Sequence, residues 1–127
     1  MVDTGVLGSI EFGVQQLRIP LVVVLGHDSC GAIRAANDTL TGELRPGPGL
    51  RPIIDRVTPS LLAARDRQIT GDAVTAVHVE RTIAAITTED SAVADAVAAG
   101  TCAVVGMTYR LADGRVTVVA STPTPRG

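Results

Sequence analysis

The sequence predicts an α/β fold in which a parallel sheet with flanking helices ends in a C-terminal antiparallel hairpin. Residues 21–25, LVVVL, form an apolar run without polar alternation, which is typical of a strand in a parallel sheet. Several other segments repeat apolar residues at helical spacing. Asp113-Gly114 separates two strand-like segments and is a strong hairpin signal. A length of 127 residues suits one domain and is too short for two independent cores.

The first third of the chain predicts one helix, strand, turn and helix unit. Apolar residues recur at helical spacing over residues 5–17, after the cap candidates Asp3 and Thr4. The β-branched run 21–25 predicts a strand that is covered on both faces. A turn at 27–31 then leads into a helix over 32–40, with Asp28 or Ser29 as its N-cap.

The rest of the chain predicts more helices than strands. The expected elements are a loop at 41–49, a helix from residue 53 interrupted around Pro59, helices at 72–87 and 91–99, and strands at 102–108 and 115–119. The domain is expected to span residues 1–120, and the Pro-containing tail 121–127 is expected to be disordered. Three strands are too few to cover the apolar faces of four or five helices, so we expect that part of the fold is missing.

Composition and charge exclude several classes of function. The net charge of −2 and the aromatic content of 2% provide neither a basic surface nor a stacking platform for nucleic acid. The apolar run 19–25 is shorter than the roughly 20 residues that span a bilayer, and the N-terminus lacks signal-peptide features. We therefore expect neither a nucleic-acid nor a membrane partner, and a cytoplasmic location. All eleven basic residues are Arg, which suggests a GC-rich bacterial genome.

His27 and Cys30 are the candidate metal ligands. They follow directly after the predicted strand 21–25, at the edge of a parallel sheet where ligands usually bind. An imidazole and a thiolate are suitable ligands for Zn²⁺, and a helix N-terminus beside Cys30 would favour the thiolate. Zinc with an open coordination position activates water for attack on an electrophilic carbon such as that of CO2. Gly31 would let backbone or substrate come close to this site, and is our candidate substrate-binding residue.

Other interpretations of the same residues remain open at this point. A His-x-x-Cys pair after a strand is more often a helix cap with a buried thiol than a zinc site. Cys102 is expected to be a core residue, and His78 a solvated or structural histidine. Asp28 could orient His27 or cap the next helix, with the cap favoured. A disulfide between Cys30 and Cys102 is not expected in a reducing compartment.

Three segments of the sequence resemble the β-class carbonic anhydrases. Residues 22–32, VVVLGHDSCGA, resemble the second zinc-ligand segment of that family. Residues 3–17 are similar to the helix that leads into it, and residues 104–116, VVGMTYRLADGRV, to the closing hairpin. The resemblance covers nearly the whole chain. It implies a zinc enzyme that interconverts CO2 and bicarbonate, with His27 and Cys30 as two of its three protein ligands.

The sequence also departs from that family. Family members carry an earlier Cys-x-Asp-x-Arg segment, whose cysteine is the third ligand and whose Asp and Arg pair beside the metal. The present sequence has no counterpart, and Cys102 cannot be assigned to it. The same portion of the family supplies two strands of the sheet and helices that help to form the dimer. The fold is therefore predicted to be β-carbonic-anhydrase-like with its first strands missing.

This departure leads to three hypotheses about function. The first is an enzyme of the carbonic anhydrase class that is either residually active or completed by another polypeptide, which supplies the missing strand and cysteine. The second is a non-catalytic remnant or interaction module with at most weak zinc binding. The third, a redox protein that uses Cys30, is weaker because no resolving cysteine is close in sequence. Without its neighbouring strand, 21–25 becomes an exposed edge, through which we expect the chain to form homo-oligomers.

Overall fold

The computed structural model describes residues 2–123, in which five helices accompany one three-stranded sheet. In chain order the elements are α1 (Thr4–Gln15), β1 (Leu21–His27), α2 (Gly31–Leu40), α3 (Arg51–Asp66), α4 (Ala73–Glu89), α5 (Ser91–Ala98), β2 (Ala103–Tyr109) and β3 (Val116–Ser121). The strand order is β1-β2-β3, with β1 parallel to β2 and β2 antiparallel to β3. The predicted α/β class, the parallel pair and the closing hairpin are thus confirmed. In the described part of the chain, no helix has the length and apolar character needed to cross a membrane.

The ends of the helices follow from local sequence. The Asp3 carboxylate accepts a hydrogen bond from the Val6 amide at 2.9 Å and caps α1. Asp90 does the same for Val93 at 3.1 Å at the start of α5. Gly100, with a φ of 73°, provides the left-handed residue that ends α5.

Helix α3 is continuous, so the prediction of an interruption at Pro59 is wrong. Proline removes one main-chain hydrogen bond and crowds the carbonyl four residues earlier. The helix nevertheless runs from Arg51 to Asp66, because Val57 and Leu61, on either side of Pro59, are buried against the neighbouring helices. Packing of the apolar face outweighs the local preference of one residue.

Strand β3 extends beyond the predicted domain boundary. Ser121 pairs with Val105 in the sheet. The main-chain amide of Thr122 donates to Val104 O at 2.9 Å, and its hydroxyl accepts from Val104 N at 2.8 Å. The expected disorder of 121–127 is therefore not found at its first two residues. Residues 124–127 lie outside the described residues.

One face of the sheet, here called the covered face, packs against helices α1, α4 and α5. Its core contains the buried side chains Val14, Val79, Ile83, Ile86, Val93, Cys102 and Val104. Helix α4 lies so close that a Cβ added at Gly106 would meet Val79 Cγ1 at 2.5 Å and Ile83 Cδ1 at 2.6 Å. A second cluster holds α2 and α3 against the other side of α4; its buried members are Ala36, Ile54, Val57, Leu61, Ala64, Val74 and Val77.

The opposite face of the sheet, here called the open face, has no helix on it in the described part of the chain. Side chains alternate along a strand, so the residues that follow this side can be assigned from the register. Its apolar members are Leu21, Val23, Leu25, Ala103, Val105, Met107, Tyr109, Val116 and Val118, of which Ala103 is buried. Leu21, Val23 and Leu25 are 47%, 45% and 56% exposed. The prediction that β1 is covered on both faces is therefore wrong for this chain, whereas the predicted exposed edge at β1 is confirmed.

Candidate metal centre

His27 and Cys30 lie where the sequence predicts, at the carboxyl end of the parallel strands. His27 is the last residue of β1 and is paired in register with Tyr109, the last residue of β2. Cys30 is the N-cap residue of α2, three residues further along the chain. Ligand sites of α/β proteins cluster at this edge of a parallel sheet. Because His27 continues the alternation of Leu21, Val23 and Leu25, its exposed imidazole lies at the end of the open face.

The turn between these residues is braced by two other parts of the molecule. The hydroxyl of Thr75, in α4, donates to His27 O at 3.2 Å. On the opposite side, the amide of Asp28 donates to Tyr109 O at 3.2 Å, and its carboxylate accepts from the Leu111 amide at 3.0 Å. The position of the turn is thus fixed by tertiary contacts that are far apart in sequence.

Ser29 takes an unusual backbone conformation inside this turn. Its φ of 51° is in the left-handed region, which costs a non-glycine residue about 1 kcal/mol. The Ser29 amide donates to the Asp72 carboxylate at 2.9 Å, which holds it in this conformation. Neither Asp28 nor Ser29 caps α2, because the Asp28 carboxylate accepts from the Leu111 amide and Cys30 occupies the N-cap position in place of Ser29. The predicted side-chain cap is wrong.

The imidazole of His27 is oriented by the main chain. Its Nδ1 lies 2.7 Å from Asp28 O, a geometry in which Nδ1–H donates to the carbonyl. That tautomer leaves the lone pair of Nε2 free for a metal ion, as in many metal-binding histidines. Asp28 therefore orients His27 through its backbone carbonyl and not through its carboxylate.

Cys30 is a free, half-buried thiol at an uncapped helix end. No side chain caps α2, so the first main-chain amides of the helix have no side-chain partner beside the thiol. A Cβ placed on Gly31 would meet no atom within 4 Å, so the start of α2 is open beside the thiol. Cys30 and Cys102 do not form a disulfide with each other.

His27 and Cys30 are the two candidate zinc ligands among the described residues. Across residues 2–123, no cluster contains three or more His, Cys, Asp or Glu side chains that could hold a metal ion. The donor types of His27 and Cys30 fit zinc, but a catalytic zinc normally takes three ligands from protein. Two candidate ligands in the described residues fall short of that number.

The remaining candidates, His78 and Cys102, have structural roles, as predicted. His78 Nδ1 lies 2.7 Å from the Ser60 hydroxyl between α3 and α4, and burial, together with the charge of Arg81, lowers the pKa of this histidine. Cys102 is 1% exposed in the core below the covered face, where burial raises the pKa of its thiol.

Asp72 and Thr75 were not predicted to support the site. They lie at the start of α4, and contact the turn from 43 and 48 residues away in sequence. From the sequence, polar residues at the start of a helix predict only a helix cap. Nothing in one sequence shows that the turn at 27–30 needs their hydrogen bonds.

Comparison with known sequences decides the family. A sequence model of the carbonic anhydrase family matches residues 1–116. The chain belongs to the carbonic anhydrase family. It is 48% identical over 117 residues to a carbonic anhydrase of Mycolicibacterium smegmatis, and 45% identical over 116 residues to carbonic anhydrase 2 of Mycobacterium tuberculosis. The matches cover 91% of this chain but only 57% and 56% of the relatives, so the chain spans just over half of their length.

Solved structures of β-carbonic anhydrases share the fold. A tetrameric β-carbonic anhydrase of Sordaria macrospora superimposes with a TM-score of 0.80 at 20% identity, over 96% of this chain and 64% of that one. A β-carbonic anhydrase of Aspergillus fumigatus gives a TM-score of 0.78 at 24% identity, over 94% and 58% of the two chains. The three strands and five helices described above are thus a large part of the β-class fold. The expected family and fold are both confirmed.

Proposed function

We propose that this chain contributes His27 and Cys30 to a zinc site for the interconversion of CO2 and bicarbonate, and that the site needs a third ligand from outside the described residues. The observation that supports this most strongly is the turn at 27–30. It presents an oriented imidazole and a free thiol at the carboxyl end of β1, in a chain of the carbonic anhydrase family.

Each residue of the turn has a distinct role in this proposal. His27 would bind zinc through Nε2, because Asp28 O holds Nδ1. Cys30 would bind zinc through its Sγ at the start of α2. Zinc supplies a Lewis acid that makes water nucleophilic towards CO2. Gly31 would leave room for CO2 or bicarbonate beside the metal ligands, since the space next to its Cα is empty.

The open face also supports self-association of the chain. Monomeric proteins rarely expose a large contiguous apolar patch. The apolar side chains of the open face extend across all three strands. The edge of β1 also carries unpaired main-chain groups. We propose that the chain self-associates through this edge and the open face. A cytoplasmic location completes the proposal and rests on the free thiols, which a reducing compartment preserves.

The experiment is a complementation assay. The portion of the Mycolicibacterium smegmatis relative outside its match to this chain would be coexpressed with the chain and supplied with zinc. We expect CO2 hydration that is lost in H27A and in C30S, while C102A, which alters only the core, retains it. Activity that survives C30S would contradict the proposed ligand role.

A second candidate is a non-catalytic interaction module, which the open face itself favours. In that case the open face would bind a partner, but the complemented assembly would neither bind zinc nor hydrate CO2. Cobalt(II) separates the two proposals, since a thiolate ligand gives an intense charge-transfer band. A band in the complemented wild type that is absent from C30S supports the zinc site.

A further inference from the structure

A cavity of about 530 Å3 lies between α2, α3 and the segment that leads into α4. This volume is in the range of pockets that bind small organic molecules. One end of the cavity reaches Cys30 at the start of α2. The cavity occupies the helical side of the molecule, beside the second core cluster, and is not part of the open face.

The walls of the cavity are of two kinds. One part is hydrocarbon, formed by Ile33, Leu61, Ile69 and Val74. The other part carries polar groups, among them two guanidinium groups. A molecule that fills this space therefore meets both hydrocarbon and cationic side chains.

The two arginines are available to a ligand. Arg34 lies 4.0 Å from Asp38 with 86% of its side chain exposed, and Arg65 reaches the Asn37 amide oxygen at 3.4 Å. Contacts of this length at the surface are weak, so both guanidinium groups can turn towards a bound anion. Guanidinium groups bind carboxylates well because their paired N–H donors match the two oxygens.

The acidic group of the cavity does not cancel this preference. Asp72 is the only carboxylate among the lining residues of this cavity. One of its oxygens already accepts the Ser29 amide at 2.9 Å. Two guanidinium groups and one carboxylate leave the lining residues with a net positive charge, which favours an anionic ligand; Asp38, 4.0 Å from Arg34, is not among the lining residues.

We propose that this cavity binds a small organic carboxylate, with its hydrocarbon body on Ile33, Leu61 and Val74 and its carboxylate on Arg34 and Arg65. Because Cys30 lines the same cavity, the bound carboxylate covers the thiol. This inference goes beyond the zinc-dependent function and does not depend on it.

The first test is a titration of the zinc-free chain with octanoate, followed by calorimetry. We expect saturable binding that weakens at least tenfold in the R34Q/R65Q double variant. R51Q is the matched control, because Arg51 is an exposed α3 arginine, paired with Asp55 at 3.5 Å, that does not line the cavity. Octylamine has the same hydrocarbon body and the opposite charge, and should bind at least tenfold more weakly than octanoate.

The second test measures the rate at which iodoacetamide alkylates Cys30, with the labelled peptides separated by mass. Cys102 is 1% exposed and serves as the unreactive internal reference. At ten times its Kd, octanoate should slow Cys30 labelling about tenfold, since only unoccupied molecules react. Absence of saturable octanoate binding, equal binding of octylamine or of R34Q/R65Q, or an unchanged labelling rate would overturn the proposal. No zinc is present, so failure here is distinguishable from failure of the zinc site.

Discussion

The two faces of the sheet have similar sequences and opposite environments. On the covered face, Val22 and Val24 of β1 pack against the core below α1, α4 and α5. On the open face, their neighbours Val23 and Leu25 are about half exposed. Side chains this apolar on both sides are typical of a strand that is buried on both sides. The difference shows that the described residues provide the cover for only one face.

The same difference explains the incomplete metal site. His27 continues the alternation of the open face, whereas the supports of its turn come from α4 and from the loop after β2. The turn is therefore held by contacts from α4 and from the loop after β2, and the described residues contain no cluster of three metal-binding side chains beside it. We expect both the cover of the open face and a third ligand to come from outside the described residues.

The largest expected effect on the free energy of unfolding comes from truncating a buried side chain on the covered face, compared with an exposed one on the open face. Ile86 is 1% exposed and belongs to the covered core. I86A should lower the free energy of unfolding by about 3 kcal/mol, because it removes buried contacts and leaves a cavity. L25A, on the open face, should change it by about 0.5 kcal/mol or less in the monomer. Urea unfolding at low protein concentration measures both. Equal losses would show that the open face is covered in solution.

The next effect concerns how tightly α4 lies on the sheet. A Cβ at Gly106 would meet Val79 and Ile83 side chains at 2.6 Å or less, so G106A should cost about 2 kcal/mol of unfolding free energy. G47A is the control, since a Cβ at Gly47 meets no atom within 4 Å. Thermal melts of both variants compare them. A neutral G106A would mean that α4 sits further from the sheet than described.

A smaller effect is expected for self-association through the open face. Val118 is 59% exposed there, and V118K should weaken association at least tenfold, equivalent to about 1.4 kcal/mol. L62K places the same charge at an exposed position of α3, outside the open face, and should leave association unchanged. Sedimentation velocity over a range of concentrations measures both. A monodisperse wild-type monomer with a cooperative melt would contradict proposed self-association.

The smallest expected effect is on the pH dependence of stability, through His78 between α3 and α4. Burial lowers the pKa of His78 in the folded chain, whereas the unfolded chain binds this proton near the ordinary value of 6.5. The unfolded state therefore binds more protons below about pH 6.5, and stability falls as pH falls from there through the lowered pKa. H78Q should flatten this dependence between pH 7.5 and 5.5 in urea titrations. An identical slope in H78Q would assign the dependence to other groups.

Much of the fold could be predicted because its signals are local. The run 21–25, the helical periodicities and Asp113-Gly114 predicted the strands, helices and hairpin in the right order. The position of His27 and Cys30 after β1 was also predictable, since it follows from one strand and one turn. The shortage of strands was visible as more apolar helix faces than a small sheet covers.

The wrong predictions concern features that are determined by contacts between residues far apart in sequence. Proline has a local preference against a helix interior, but burial of Val57 and Leu61 keeps α3 continuous. Asp28 and Ser29 are good caps in isolation, yet the Asp28 carboxylate binds the Leu111 amide, and Cys30 takes the N-cap position. β1 has the pattern of a strand covered on both faces, and only the arrangement of helices shows which face is open.

The measurement that tests the central claim most directly is stopped-flow CO2 hydration by the chain alone, with zinc added. With two protein ligands and no third, zinc should be held weakly, because ligand number and geometry set affinity. We expect a rate at or near the uncatalysed one, with no further loss in C30S. A clear zinc-dependent rate that C30S abolishes would contradict the claim that the site is incomplete within this chain.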